Sequence, residues 1–135
     1  MSLLLRKGAE MKKIVIRDKK TQEALMDFEF DDQDKTVLPR FRQGLKQLHR
    51  LERAEKQGIR RALAGHVKSN HIAEHSREQE EMRKQAAEIF EGLLGAGAVR
   101  KIYASAYEAD PYFMPSVKLL ADALESIICQ IKQFI

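Results

Sequence analysis

The chain has little of what stabilises small secreted domains or anchors membrane proteins. It contains one cysteine, Cys129, and no tryptophan. A single cysteine excludes an intrachain disulfide and a cysteine-rich zinc site, and it is typical of proteins from a reducing compartment. No apolar run approaches the roughly 20 residues that a membrane-spanning helix needs. The three leucines at positions 3–5 are too few for the core of a signal peptide. We therefore expect a cytoplasmic protein.

Glycine and proline are also scarce. Seven glycines and three prolines in 135 residues argue against a β-sandwich and against a disordered linker. The chain is 44% hydrophobic and 33% charged, and its length suffices to bury one core. We therefore expect a single domain over residues 1–135. Residues 1–10 have no clear periodicity and Met11 is a second candidate start, so these ten residues are interpreted as a leader or an added tag.

Two short strand-like segments precede the rest of the chain. Residues 13–17 (KIVIR) are rich in β-branched side chains, and the apolar residues Met26, Phe28 and Phe30 alternate in the second segment. A polar, turn-like stretch separates the two segments. This pattern predicts a β-hairpin over residues 12–30. Because a lone hairpin is only marginally stable in water, its apolar face should cover helices.

Residues 34–135 predict a bundle of three to four helices, so the fold class is mainly α with a small β part (α+β). Pro39 fits only in the first turn of a helix, so the first helix should begin between positions 34 and 38. It should end near residue 64, with Gly65 as the C-cap. One apolar stripe follows helical spacing: Leu38, Phe41, Leu45, Leu48 and Leu51.

The second half of the chain predicts shorter elements around one long last helix. Residues 66–76 carry no strong stripe and predict a connection, after which Ser76 and Gln79 form a capping box for a second helix. A short helix at 98–103 and a loop at 104–114 follow. The last helix is predicted from about 115 to 134, with Ser116 just inside it and Cys129 packed. Its apolar face is wide: Val117, Leu120, Ala121, Leu124, Ile127, Ile128, Ile131 and Phe134.

Few residues suggest chemistry. His71 and His75 are four apart and could chelate a metal from one helix face, but no third ligand is evident beyond His66. We interpret these histidines as solvated. No nucleophile, base and orienting group occur together. The sequence therefore predicts no catalytic, cofactor-binding or metal-binding residue, no cofactor, and a protein that is not an enzyme.

Charge divides the chain into two segments. Positions 40–68 hold nine basic and two acidic residues, whereas positions 73–92 hold six acidic and three basic residues. A basic helix is typical of proteins that meet nucleic acid or acidic partners. In this helix the basic residues are interpreted as spread around the axis and interrupted by Glu52 and Glu55. A small, basic nucleic-acid-binding regulatory protein therefore remains the alternative reading.

A run near residue 90 carries a family resemblance. Residues 90–95 (FEGLLG) and 97–102 (GAVRKI) are similar to the F-x-x-[LV]-[FL]-G-x-G-x-x-x-K-[IV] run of a phage family. That family comprises the tail assembly chaperones of long, non-contractile-tailed phages and prophages of Gram-positive bacteria. The order of a strand pair, a long polar helix and a last helix bearing residues 121–125 (ADALE) also resembles the family. The chain departs from the pattern in its more basic first helix and in an insertion at 104–114.

The resemblance implies a non-enzymatic role in the cytoplasm of a bacterial host. Such proteins coat the hydrophobic helices of a tape measure protein before the tail tube polymerises. The last helix has more aliphatic residues than a small core should use, so we expect it to bind the partner and to take part in a homo-oligomer. The predicted partner-binding residues are Val99, Ile102, Tyr103, Leu120, Leu124, Ile127 and Ile131.

Overall fold

The computed structural model of the chain describes residues 11–63 and 69–135. Two strands, β1 (Met11–Arg17) and β2 (Ala24–Asp31), form an antiparallel hairpin. The helices that follow are α1 (Val37–Leu63), α2 (Ser69–Leu94), α3 (Ala98–Ile102), α4 (Ala104–Ala109) and α5 (Val117–Lys132). The prediction of a mainly α fold with an N-terminal β-hairpin is confirmed. The leader proposed for residues 1–10 and the C-cap proposed at Gly65 lie outside the described residues.

The hairpin packs one apolar face onto the helices, as its alternation predicts. Ile14 pairs with Phe28, and these side chains point to the same face as the buried Phe30. The ring of Phe28 lies 5.3 Å from the ring of Phe41 at the start of α1. The turn is stabilised by Asp18, whose carboxylate accepts the backbone N–H of residues 20 and 21. These hydrogen bonds hold the pKa of the exposed Asp18 carboxyl below its ordinary value.

Three helices enclose the core. Helix α1 begins at Val37, so Pro39 occupies its first turn as predicted. Helix α5 runs antiparallel to α1: Phe134 at its end contacts Phe30 before α1 begins, and Glu125 lies 4.0 Å from His49 midway along α1. Helix α2 packs against both. The largest fully buried side chains are Phe41, Phe90, Leu48, Leu120, Leu124, Ile127, Ile131, Val117 and Pro115.

Three predicted boundaries are wrong. Helix α2 begins at Ser69 rather than at Ser76, so Ser76 lies inside the helix and cannot cap it. Residues 69–76 contain no glycine or proline that would stop a helix, and the pattern of apolar residues was too weak to reveal it. Part of the predicted loop at 104–114 forms α4, whose alanines favour a helix. Ser116 lies just before α5, where its hydroxyl accepts the backbone N–H of Leu119 at 3.2 Å.

Helix length sets the shape of one end of the molecule. At about 1.5 Å per residue, α1 is about 40 Å long and α5 about 24 Å. Since Glu125, eight residues into α5, lies 4.0 Å from His49, fourteen residues before the end of the antiparallel α1, the last turns of α1 extend beyond the start of α5. No helix within residues 11–63 and 69–135 combines the length and the apolar character that crossing a membrane requires.

Candidate partner-binding surfaces

The residues predicted to bind a partner do not form one exposed surface. Ile102 and Tyr103 are half-buried. The others are buried in the core of the chain: Val99, Leu120, Leu124, Ile127 and Ile131. Helices α1 and α2 enclose the apolar face of α5 from two sides, so the assumption that α5 has more aliphatic residues than the core uses is not met. Binding through these seven residues, and self-association through α5, stay predictions that would require α5 to leave the bundle.

Of the seven predicted residues, Tyr103 belongs to an aromatic corner where α3, α4 and the start of α5 meet, and the other members of this corner were not predicted. The aromatic corner consists of five residues: Tyr103, Tyr107, Tyr112, Phe113 and Leu119. It includes all three tyrosines of the chain. The ring of Phe113 lies 6.2 Å from that of Tyr103 and 5.4 Å, edge to face, from that of Tyr107. The guanidinium of Arg100 lies 4.6 Å from the centre of the Tyr107 ring, a cation–π contact.

Two members of the aromatic corner face solvent. The side chain of Tyr112 is 92% exposed and that of Leu119 is 45% exposed. The loop that carries Tyr112 is held by Asp110, whose carboxylate accepts the Tyr112 backbone N–H at 2.9 Å. Large apolar and aromatic side chains on ordered backbone are typical anchors of protein interfaces, because they bury much area with little loss of conformational freedom.

Tyr103 joins the aromatic corner to α5. Its hydroxyl donates to the backbone carbonyl of Leu119 at 3.2 Å. Burial, together with the smaller effect of the negative charge of Asp122, raises the pKa of Tyr103 to about 12. The phenol is therefore neutral at physiological pH. It acts as a hydrogen-bond donor that positions Leu119.

The family-like run forms the turn beneath the aromatic corner. Gly95 and Gly97 have φ angles of 112° and 82°, a left-handed region that glycine adopts without strain. These angles turn the chain sharply, and Val99 after the turn is buried in the same core as Leu94 before it. The Glu91 carboxylate accepts the Val99 backbone N–H at 3.2 Å and so braces the start of α3. The glycine and aliphatic positions of the run have structural roles in this fold.

A buried ion pair joins α1 to α2 and was missed by the sequence analysis. The Arg83 Nε lies 2.9 Å from Glu55 Oε2, and the Glu55 side chain is 7% exposed. A signal existed in the sequence: Glu55 falls seven residues after Leu48 and fourteen after Phe41, on the same face of α1. Far from interrupting a basic surface, Glu55 is turned inward.

The basic residues of α1 are not spread around the helix, and this corrects the sequence interpretation. At about 100° per residue, six of them fall within a sector of about 100° on the side away from Phe41 and Leu48. All six are exposed and form the basic face: Arg42, Lys46, Arg50, Arg53, Arg60 and Arg61. Glu52 points sideways, where Lys56 at 2.9 Å holds its pKa below the ordinary value. No acidic residue of α1 interrupts the basic face.

A groove follows α1 and α2 on the side opposite α5. Its apolar floor includes Leu51 and Ala54 of α1 with Met82 and Ile89 of α2. One edge carries basic residues of α1, and the other carries acidic residues of α2. These charged residues are Arg50 and Arg61, called here the basic rail, and Glu78, Glu81 and Glu88, called the acidic rail.

The described part of the chain contains no cluster of metal ligands, and its cysteine lies at the surface. Within residues 11–63 and 69–135, no group of three or more histidine, cysteine, aspartate or glutamate side chains is placed to hold a metal ion. His66 lies outside the described residues, as do the side chains of His71 and His75. Cys129 is exposed rather than packed, because it lies on the side of α5 opposite the core.

The chain matches no protein-family model, no curated protein and no solved structure.

Proposed function

We propose that this protein is a non-enzymatic assembly chaperone of phage tails. It would act in the bacterial cytoplasm and bind hydrophobic helical segments of a tape measure protein during tail morphogenesis. The proposal rests on the family-like run at residues 90–102 and on the order of the elements around it. The aromatic corner is the observation that supports it, because there the predicted residue Tyr103 adjoins the exposed side chains of Tyr112 and Leu119.

The aromatic corner suits an amphipathic helix. Tyr112 and Leu119 offer apolar area, Tyr103 and Tyr107 offer ring edges, and Arg100 places a positive charge at the rim. Apolar side chains of a client helix would pack against Tyr112 and Leu119, as they do against anchor residues in helix-binding surfaces. The rest of the protein surface is dense in charge, which keeps a complex with an apolar client soluble.

The test is binding of an isolated helical segment of the tape measure protein that the proposal expects to be encoded downstream of this chain. Leu119→Glu and Tyr112→Ser change exposed side chains, so both variants should fold normally. We expect each to weaken binding at least about tenfold, since interface anchors contribute roughly 1.4 kcal/mol or more. Ser126→Glu, an exposed position of α5 outside the aromatic corner, is the matched control. Wild-type affinity in both variants, measured by calorimetry with circular dichroism as the folding check, would remove the aromatic corner as the binding site.

The basic face of α1 favours a second candidate, a small nucleic-acid-binding protein. Six basic residues of one sign lie along about 28 Å of helix. If they contact phosphates, the logarithm of the binding constant should fall steeply with the logarithm of the salt concentration. A double variant, Arg42→Gln with Lys46→Gln, should then lower that slope by about two. Binding of the tape measure helix should be insensitive to both changes, so the two functions are separable in one set of titrations.

A further inference from the structure

The groove between α1 and α2 has opposite charges on its two edges. Arg50 and Glu88 line the same stretch of it, and Arg61 lines the next stretch with Glu78 and Glu81. These five side chains point to solvent, and none of them takes part in an ion pair among the residues that the structure describes. The two rails are thus charged and separated, with an apolar floor between them.

We propose that two copies of this chain associate groove to groove, about a two-fold axis parallel to α1 and α2. That rotation leaves the position of every residue along the helix axes unchanged and exchanges the sides on which α1 and α2 lie. It places α1 of one copy over α2 of the other, so that the basic rail of each copy faces the acidic rail of its partner. Arg50 then lies opposite the partner's Glu88, and Arg61 opposite the partner's Glu78.

Two faces of this kind can pack about a two-fold axis in two ways, and the charges favour the axis parallel to the helices. A two-fold axis perpendicular to the helices would place α1 over α1 and oppose the two basic rails, which is unfavourable. A partner with a random charge pattern would match only one rail. A second copy matches both rails, because an isologous interface repeats each contact twice. The floor residues Leu51, Met82 and Ile89 would meet in the centre and form the apolar part of a four-helix layer.

The area of the face sets the strength of the association. From residue 44 to the end of α1 the helix pair is about 30 Å long and about 20 Å wide, which gives about 600 Å² per copy. The total, about 1,200 Å², lies at the lower limit of specific interfaces. The rails and three glutamines, Gln47, Gln57 and Gln85, surround a small apolar floor. The dimer should therefore be weak and dependent on concentration, with water in its interface. It should also dissociate as salt screens the rails.

The experiment uses the full chain and measures its mass by sedimentation velocity over a range of concentrations at low salt. Wild type should convert from monomer to dimer as concentration rises. Arg50→Glu and Glu88→Arg each place like charges opposite each other twice, so each variant alone should need at least about tenfold more protein to dimerise. An equal mixture of the two variants restores both pairs, and it should dimerise as readily as wild type.

Controls separate the groove from general charge effects. Arg53→Glu makes the same charge change on α1 but lies on the basic face outside the groove, so it should leave the dimer intact. If Arg50→Glu or Glu88→Arg lost helix content, Arg61→Glu and Glu78→Arg would provide the same exchange of charge in the next stretch.

Three results would overturn the proposal. The first is a wild-type chain that stays monomeric at every concentration at low salt. The second is a dimer that forms equally well in Arg50→Glu, or that Arg53→Glu weakens as much as Arg50→Glu does. A dimer that the equal mixture of Arg50→Glu and Glu88→Arg does not restore counts in the same way. The third is a monomer that binds the tape measure helix and loses it on Arg50→Glu, which would assign the groove to the client. The proposed function is tested separately, by the effect of Leu119→Glu on binding of the tape measure helix. A chain that does not dimerise would therefore leave the proposed function untouched.

Discussion

The buried ion pair between α1 and α2 should respond unequally to removal of its two partners. The Glu55 side chain is 7% exposed, whereas that of Arg83 is 28% exposed. Arg83→Met keeps the aliphatic stem but leaves the Glu55 carboxylate buried without a positive partner. Glu55→Met removes the buried charge and leaves a guanidinium that can still reach water.

The burial of each group sets the expected magnitudes. Removal of one partner of a fully buried pair costs about 3–5 kcal/mol. Because water reaches Arg83, we expect Arg83→Met to lower the free energy of unfolding by about 2–3 kcal/mol. Glu55→Met should change it by less than about 1 kcal/mol, since the remaining arginine can be solvated. The double variant should be within about 1 kcal/mol of wild type, because apolar replacement of a buried pair is often neutral.

Urea unfolding followed by circular dichroism at neutral pH measures all four proteins and closes a double-mutant cycle. The four slopes of free energy against urea must agree for the comparison to hold. If Arg83→Met and Glu55→Met cost the same, the asymmetry in burial is not what determines the energetics. If the double variant is as unstable as Arg83→Met, the loss reflects contacts of the guanidinium group rather than an unpaired carboxylate.

Other predictions follow from single contacts. A Cβ on Gly44 would lie 2.6 Å from Leu93 Cδ1, so Gly44→Ala should be nearly neutral in urea unfolding: rotation of the leucine offsets a gain of about 1 kcal/mol in helix propensity. Tyr103 should titrate near pH 12 in an ultraviolet absorbance titration, and Tyr103→Phe should remove that step. Since the unfolded phenol loses its proton near pH 10 and the folded one near pH 12, stability should fall as pH rises through this window. Cys129 should react with a thiol reagent in the native protein, without denaturant, because its side chain is exposed. Leu124→Glu should unfold the chain as judged by circular dichroism, because it places a charge at a fully buried position of the core.

The elements with strong periodicity could be predicted from the sequence. Alternation at Met26, Phe28 and Phe30 specified both the strand and its buried face, because a strand has a period of two. Pro39 fixed the start of α1 within a few residues. The glycine pair Gly95 and Gly97 fixed the turn after α2, since its φ angles are ones that other residues avoid. In each case a local steric rule acts on a few neighbouring residues.

Features that depend on tertiary contacts could not be predicted in this way. Glu55 was interpreted as an interruption of the basic residues of α1, although it falls on the stripe of Phe41 and is buried. Its burial requires Arg83, a residue 28 positions away on another helix. The aromatic corner has the same origin. Tyr103 lies between α3 and α4 and Phe113 lies in the loop after α4, so their rings meet only when that loop folds back toward α3.

Composition alone gave no measure of how much apolar surface α5 leaves exposed. The prediction of a binding face on α5 assumed that a chain of 135 residues cannot bury so many aliphatic side chains. In the fold, two helices of more than 25 residues, α1 and α2, cover a helix of 16 residues, and the hairpin adds Ile14 and Phe30 to the same core. A short helix between longer ones has little apolar surface left for a partner. Both proposed binding sites therefore lie outside the apolar face of α5: the aromatic corner, where Tyr103 positions Leu119, and the charged groove between α1 and α2.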